Sequence, residues 1–243
     1  MHRFFADERG VVQGAAYLNA EDAGHALRVL RLESGDEVEL VCAPARYRAK
    51  IDSTEGGEVR LRVIEKLRDT EARTRVTLYQ GLPKADKMEL IIQKAVELGA
   101  FQVIPVSMKR CVVKLDEKKA DAKIKRWQGI AEAAAKQSKR VVIPTVAPVM
   151  SYVQAVKTAS EMDLKLVPYE LAEGMPQTKQ LIESARPGQQ IAIFIGPEGG
   201  FDPEEIRLAT EAGIQPITLG KRILRTETAG FTTIAWLMYQ LEN

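Results

Sequence analysis

Between Val38 and Val63 the chain alternates. Val38, Leu40 and Cys42 are spaced by Glu39 and Val41; Tyr47, Ala49 and Ile51 by Arg48 and Lys50; Val59, Leu61 and Val63 by Arg60 and Arg62. A period of two marks strands with one buried face. Ser34-Gly35-Asp36 and Glu55-Gly56-Gly57 supply the turns, so residues 1 to about 68 are expected to form a small antiparallel β-barrel. A short helix near His25 sets Arg28 and Arg31 three positions apart, a spacing at which both face one partner; ordinary solvated arginines account for the pair equally well. The polar stretch Asp69-Thr70-Glu71-Ala72-Arg73 reads as a linker.

Beyond it the rhythm changes. Val76 to Gln80, Phe101 to Val106, Val141 to Ile143, Leu164 to Val167, Gln190 to Ile195 and Gln215 to Leu219 are short, nearly continuous apolar runs that suit strands covered on both faces. Helical periods lie between them. Met88, Ile91, Ile92, Ala95 and Val96 make the buried stripe of a helix from Lys87 to about Leu98, with Asp86 and Glu89 as its capping box and Gly99 as its stop. A longer helix is expected from about Glu117 to Ser138, and a last one carries Phe231, Ile234, Ala235, Met238 and Leu241 on one face. Strands alternating with helices give an α/β unit with a largely parallel sheet, expected over residues 74–243.

Two segments in this half carry chemistry. Ile195-Gly196-Pro197-Glu198-Gly199-Gly200-Phe201 follows a strand and leads into Asp202-Pro203-Glu204-Glu205, a strong helix start. Leu219-Gly220-Lys221-Arg222-Ile223-Leu224-Arg225-Thr226-Glu227-Thr228-Ala229 follows the next strand, with Thr226 or a neighbour placed to cap the final helix. Both loops fall where open α/β sheets bind ligands, at the carboxyl ends of strands. Neither is a dinucleotide fingerprint nor a P-loop. Glu198 would repel a phosphate seated on the loop amides, so a neutral or cationic ligand fits better.

Composition narrows the class. The 243 residues are 45% hydrophobic and 28% charged, in the range of soluble globular chains. No run approaches membrane-span length and residues 1–20 lack a cleavable apolar core, so no membrane is expected. With two cysteines, Cys42 and Cys111, and two histidines, a disulfide framework and a metal site are both disfavoured, and a cytoplasmic setting is favoured. The net charge of +2 says little, but Met108 to Arg140 holds eleven basic residues against four acidic ones. Such a segment tracks phosphates or simply solvates a helix face.

The paired loops GPEGGF and LGKRILRTETA resemble the C-terminal signature of the SPOUT superfamily of S-adenosylmethionine-dependent RNA methyltransferases. More closely they resemble the RsmE family, small-subunit (16S) ribosomal RNA uridine-N3 methyltransferases. Met1-His2-Arg3-Phe4-Phe5, His25 to Leu32, Lys84 to Glu89, Gln93 to Gly99, and Glu132-Ala133-Ala134 with Gln137-Ser138 extend the likeness over nearly the whole chain. Ala135 to Arg140 departs from that pattern, which has Glu before the Gln and Gly after the Ser.

The resemblance implies a PUA-like RNA-binding barrel (1–68) and a SPOUT domain with a deep trefoil knot (74–243), working as a homodimer in the cytoplasm. It implies methylation of a uridine in the decoding region of ribosomal RNA, with RNA or the small ribosomal subunit as partner and no metal. The cofactor, S-adenosyl-L-methionine, is placed against Pro168, Tyr169, Glu170, Gly196, Pro197, Gly199, Gly200, Leu219, Gly220, Ile223 and Leu224. Glu198 and Arg225 are the catalytic candidates: Glu198 favours the cationic donor or positions the base, and Arg225 holds an RNA phosphate or the charge developing on uracil. Arg3, His25, Arg28, Arg31, Lys84, Lys87 and Arg140 are the candidates for RNA contact. A SPOUT ribose 2′-O-methyltransferase and a noncatalytic RNA-binding assembly protein are the alternatives. The intact loops and the N-terminal match favour the uridine-N3 enzyme.

Overall fold

A computed structural model describes residues 1–68, 71–172 and 174–242; Asp69 and Thr70 of the expected linker lie outside the described residues. The chain forms two compact units, Met1–Glu71 and Ala72–Asn243.

The first unit is a curled sheet. Its strands are β1 (His2–Phe5), β2 (Ala15–Tyr17), β3 (Glu37–Cys42), β4 (Ala45–Ser53) and β5 (Arg60–Lys66), in the order β1-β3-β4-β5-β2. The alternating positions face inward as expected: Val38, Leu40, Ala49, Ile51, Val59 and Leu61 form its core with Phe4 and Leu18. The antiparallel expectation fails at one pair, because β1 runs parallel to β3. The edge strands meet at an antiparallel bridge between Ala6 and Leu18, which curls the sheet toward closure.

Helix α1 (Ala20–Gly24) is capped by Asn19, whose side chain accepts from the Asp22 amide, and continues as a wider π-helical turn over His25–Val29. Arg31 lies past this turn with φ at +54°, so the three-residue spacing to Arg28 does not place the two on one helix face. The chain leaves the helix there, with the Leu32 amide donating back to the Ala26 carbonyl.

In the second unit the strands are β6 (Arg75–Gly81), β7 (Gln102–Ser107), β8 (Thr145–Val146), β9 (Met150–Ser151), β10 (Leu164–Pro168), β11 (Gln190–Ile195) and β12 (Gln215–Ile217). The helices are α2 (Lys87–Glu97), α3 (Glu117–Gln137), α4 (Tyr152–Ala159), α5 (Met175–Glu183), α6 (Pro203–Glu211) and α7 (Thr226–Leu241). Among the described residues the strand order is β12-β10-β11-β6-β7-β8, with β9 also on β7, and every pairing is parallel.

Side-chain alternation splits the helices between the two faces. Tyr79 stacks on Phe194 at 4.4 Å between ring centroids, and Tyr152 of α4 meets Phe194 edge-on. On the opposite face Leu78 and Ile195 lie beneath Gly230 of α7.

Three local expectations change. Val141 to Ile143 is not a strand. Pro144 follows it without an amide proton, and pairing begins only at Thr145, where Gln128 of α3 accepts from the Val146 amide at 2.8 Å. Asp86 makes no side-chain cap: its backbone is not extended (φ −92°, ψ 11°) and its carbonyl accepts from the Glu89 amide at 3.0 Å, while the Glu89 side chain turns outward to Arg126 at 2.8 Å. The buried face of α7 is rotated from the predicted stripe. Gly230, Thr233, Ile234, Leu237 and Met238 are buried and Ala235 is exposed, since the small residues let the helix lie close to Leu78 and Ile195.

Candidate functional site

A cleft of about 430 Å³ opens at the carboxyl ends of the parallel strands in the second unit. Its walls are Pro168–Glu170 after β10, Ile195–Glu198 with Gly200 and Phe201 after β11, and Thr218 to Thr226 after β12, with Lys87 and Ala229 completing it.

The loop after β11 is held at both ends. Phe201 is buried and meets Tyr152 edge-on, and the Gly200 amide closes a turn onto the Pro197 carbonyl at 2.9 Å. The capping box predicted for α6 forms: Asp202 accepts from the Glu204 amide, and Glu205 accepts from the Asp202 amide at 2.9 Å. Glu205 also accepts from the Lys109 amide at 2.8 Å, and Lys109 pairs with Asp202. A Cβ on Gly196 would lie 3.1 Å from the Gly200 carbonyl carbon and 3.2 Å from the Phe201 ring. A side chain at Gly196 would therefore press on the loop where it folds back on itself.

Thr226 joins the two loops. It is the first residue of α7 and not its cap, a position held by Arg225. Its hydroxyl donates to the Gly196 carbonyl at 2.6 Å and accepts from Gln80 Nε2 at 2.9 Å. Gln80 is fully buried at the end of β6. One hydroxyl thus fixes β6, the first loop and α7 around the same point.

Glu198 is engaged as well. Both its carboxylate oxygens accept from the Lys84 amide, at 3.1 and 3.3 Å, and Lys87 Nζ lies 3.1 Å away. Lys87 also reaches Glu227 on α7 at 3.6 Å. Partial burial works against the charged form of Glu198, but its own loop amide, the Lys84 amide and the Lys87 ammonium outweigh it and hold the carboxyl below its ordinary value of 4.5. A depressed folded value means that this contribution is present above about pH 4.5 and is lost as pH falls through the folded value. In Lys87→Met the Glu198 titration, followed by carbon-detected NMR, is expected to move up toward 4.5. An unchanged midpoint would show that the backbone amides alone hold the charge.

The cleft gathers Pro168, Tyr169, Glu170, Gly196, Pro197, Gly200, Leu219, Gly220, Ile223 and Leu224, together with both catalytic candidates, Glu198 and Arg225. Gly199 is the exception. It faces away from the cleft wall, where Arg110 covers it and donates to its carbonyl at 3.1 Å.

The RNA-contact candidates divide. His25, Arg28, Arg31 and Lys84 are exposed, while Lys87 belongs to the cleft wall. Arg3 is largely buried and its guanidinium pairs with Glu39 at 3.2 Å, so it is a sheet residue and not a surface contact. Arg140 is likewise spent: its guanidinium donates to the Val96 and Ala100 carbonyls and ties down the end of α2. Sequence reasoning missed Gln80, Gly81, Arg110, Lys221 and Arg222, and gave Thr226 only a capping role. Thr226, Lys221 and Arg222 stood inside the quoted motif; the others carried no local signal.

Among the described residues no group of His, Cys, Asp and Glu is arranged to hold a metal ion, and no helix is long and apolar enough to cross a membrane. The apolar walls (Ile195, Pro197, Phe201, Leu219 and Leu224) suit a ring, and Gly200 and Gly220 turn the loops at φ +67° and +103°, a backbone shape that favours glycine. The volume is that of a small-molecule cofactor site.

A parallel α/β unit whose shaped loops close a cofactor-sized cleft at the strand ends defines a class of small-ligand-binding proteins, and residues 70–238 match the family model described as RNA methyltransferase domain. The chain is 37% identical over 231 residues to the ribosomal RNA small subunit methyltransferase E of Bacillus subtilis, covering 93% of this chain and 90% of the relative. The crystal structure of ribosomal RNA small subunit methyltransferase E from Neisseria gonorrhoeae bound to S-adenosyl methionine superimposes with a TM-score of 0.79 at 32% identity, covering 98% of this chain and 97% of that one. A Legionella pneumophila methyltransferase structure with bound SAM gives 0.80 at 31% identity, covering 98% and 96%. The chain belongs to the ribosomal RNA small subunit methyltransferase E (RsmE) family.

Proposed function

We propose that this protein transfers a methyl group from S-adenosylmethionine to N3 of a uridine in the decoding region of small-subunit ribosomal RNA. The observation that carries the reading is the full-length likeness to that family, first unit included, joined to a cleft assembled from the two signature loops. S-adenosylmethionine, when bound, supplies an electrophilic methyl group on a good sulfonium leaving group.

This chain's residues do the rest. The apolar walls hold the adenine ring, with Leu224 and Ile223 at its edge. Glu198, ionised and anchored by Lys84 and Lys87, fixes the loop and adds negative charge beside a cationic donor. It is held as a weak base, so its role is positional. Uracil N3 must lose its proton to become nucleophilic, and the charge then spreads to the flanking carbonyl oxygens. Arg225 is exposed at the mouth, without a carboxylate partner among the described residues, and stabilises that charge. The first unit holds RNA through His25, Arg28 and Arg31. The protein acts as a homodimer, with the knotted arrangement of the resemblance supplying the pairing surface.

Ribosomal RNA from a strain lacking the gene, incubated with protein and cofactor, is expected to gain one methyl group on uracil N3 by mass spectrometry. The same preparation should sediment at twice 27.0 kDa. A methyl group on ribose O2′, or none, would overturn the reading.

A further inference from the structure

The cations around the cleft fall into two sets. Lys87, Lys109 and Arg110 are engaged with carboxylates or carbonyl groups. Lys221, Arg222 and Arg225 are exposed, line the mouth between β12 and α7, and among the described residues their side chains make no ion pair or hydrogen bond. Three like charges within five positions repel one another, and among the described residues no carboxylate lies within ion-pair distance of them. The inner wall has the opposite character: Glu170 and Glu198 line it, and Glu227 lies behind Lys87. A polyanion is therefore repelled from the interior and attracted to the rim on one side only.

We propose that Lys221 and Arg222 are phosphate contacts for the RNA strand that carries the target nucleotide. The strand crosses the mouth on the 221–225 side, with its backbone on the basic rim and the target base turned inward past Arg225. This rests on the RNA methyltransferase reading above and deepens it, because it assigns substrate contact to side chains that hold neither the loops nor the fold. A base turned out of its stack into a pocket is the geometry that chemistry on a base requires. The acid-walled interior and basic rim orient the strand, and Arg225 meets the base.

The test uses the full chain and unmethylated small subunits from a strain lacking the gene, with naked ribosomal RNA as a second probe. Binding is measured over a salt series for the native protein, Lys221→Ala/Arg222→Ala, and the charge-keeping Lys221→Arg/Arg222→Lys. Losing two phosphate contacts on a single strand should flatten the log–log salt slope by about 1.4, with affinity falling roughly tenfold or more at low salt. The charge-keeping variant should retain the native slope. An unchanged slope in the alanine variant overturns the proposal. So does a loss of cofactor affinity, by calorimetry, at unchanged slope, which would assign the pair to the cofactor's carboxylate. If native protein methylates RNA while the slope stays fixed, only the rim assignment falls and the enzyme reading stands.

Discussion

Gly81→Ala is expected to weaken cofactor binding although Gly81 does not itself line the cleft. Gly81 ends β6 and is buried. A Cβ there would stand 2.7 Å from both the Cδ and the backbone nitrogen of Pro197, and 2.9 Å from the Met108 sulfur. Methionine can yield, but Pro197 is backbone in the middle of the cofactor loop. The loop must move, or the strand must. Overpacking of this kind costs about 1–3 kcal/mol. If half or more of that falls on the bound geometry, S-adenosylmethionine affinity drops by roughly twofold to a hundredfold. Calorimetry on the folded variant reads it directly. Adding Met108→Ala should not restore binding, because the clash with Pro197 remains. A folded Gly81→Ala protein with native affinity would show that the loop is not seated on β6 as described.

Thr226→Val should be the second large effect. Valine keeps the shape and removes the hydroxyl, leaving the Gly196 carbonyl and one Gln80 amide proton without partners in a buried site. Unsatisfied buried groups cost about 1–3 kcal/mol each way they are counted, so a comparable loss in unfolding free energy is expected. Thr226→Ser should recover most of it. Gln80→Leu should be costly too, since Gln80 Nε2 also donates to the Gly81 carbonyl at 3.0 Å. The pair should be coupled: the double variant should lose less than the sum of the singles by about 0.5–3 kcal/mol. Strict additivity in denaturant melts would mean that the bridge carries no energy of its own.

These two predictions concern residues that no periodicity marks. Gly81 reads as a strand end, and Gln80 reads as a polar interruption in an apolar run. Gln80 and Thr226 are 146 positions apart, and only the parallel order of β11 beside β6 brings them together. The same holds for Arg3 and Arg140. As letters they are free cations; in place they serve Glu39 and the end of α2.

Much else was legible because it is local. Met88, Ile91, Ile92, Ala95 and Val96 are all buried on α2, since a 3.6-residue period fixes which side of a helix meets the sheet. The bounds of β11 and the capping box of α6 follow from apolar run length and from hydrogen bonds closed within three residues. The two signature loops announced the cleft because glycine and proline constrain their own backbone wherever they stand. The failures were at Val141 to Ile143, at the Asp86 cap and at the face of α7. At each of these a distant partner is involved: Gln128, Arg126 and the Leu78–Ile195 floor, respectively. Periodicity and turn chemistry determined most of the elements, the parallel α/β class and the loops that line the cleft. The tertiary structure alone decided which polar groups satisfy one another and which cations at the cleft mouth are left unpaired among the described residues, because burial and charge pairing depend on neighbours that the chain order does not adjoin.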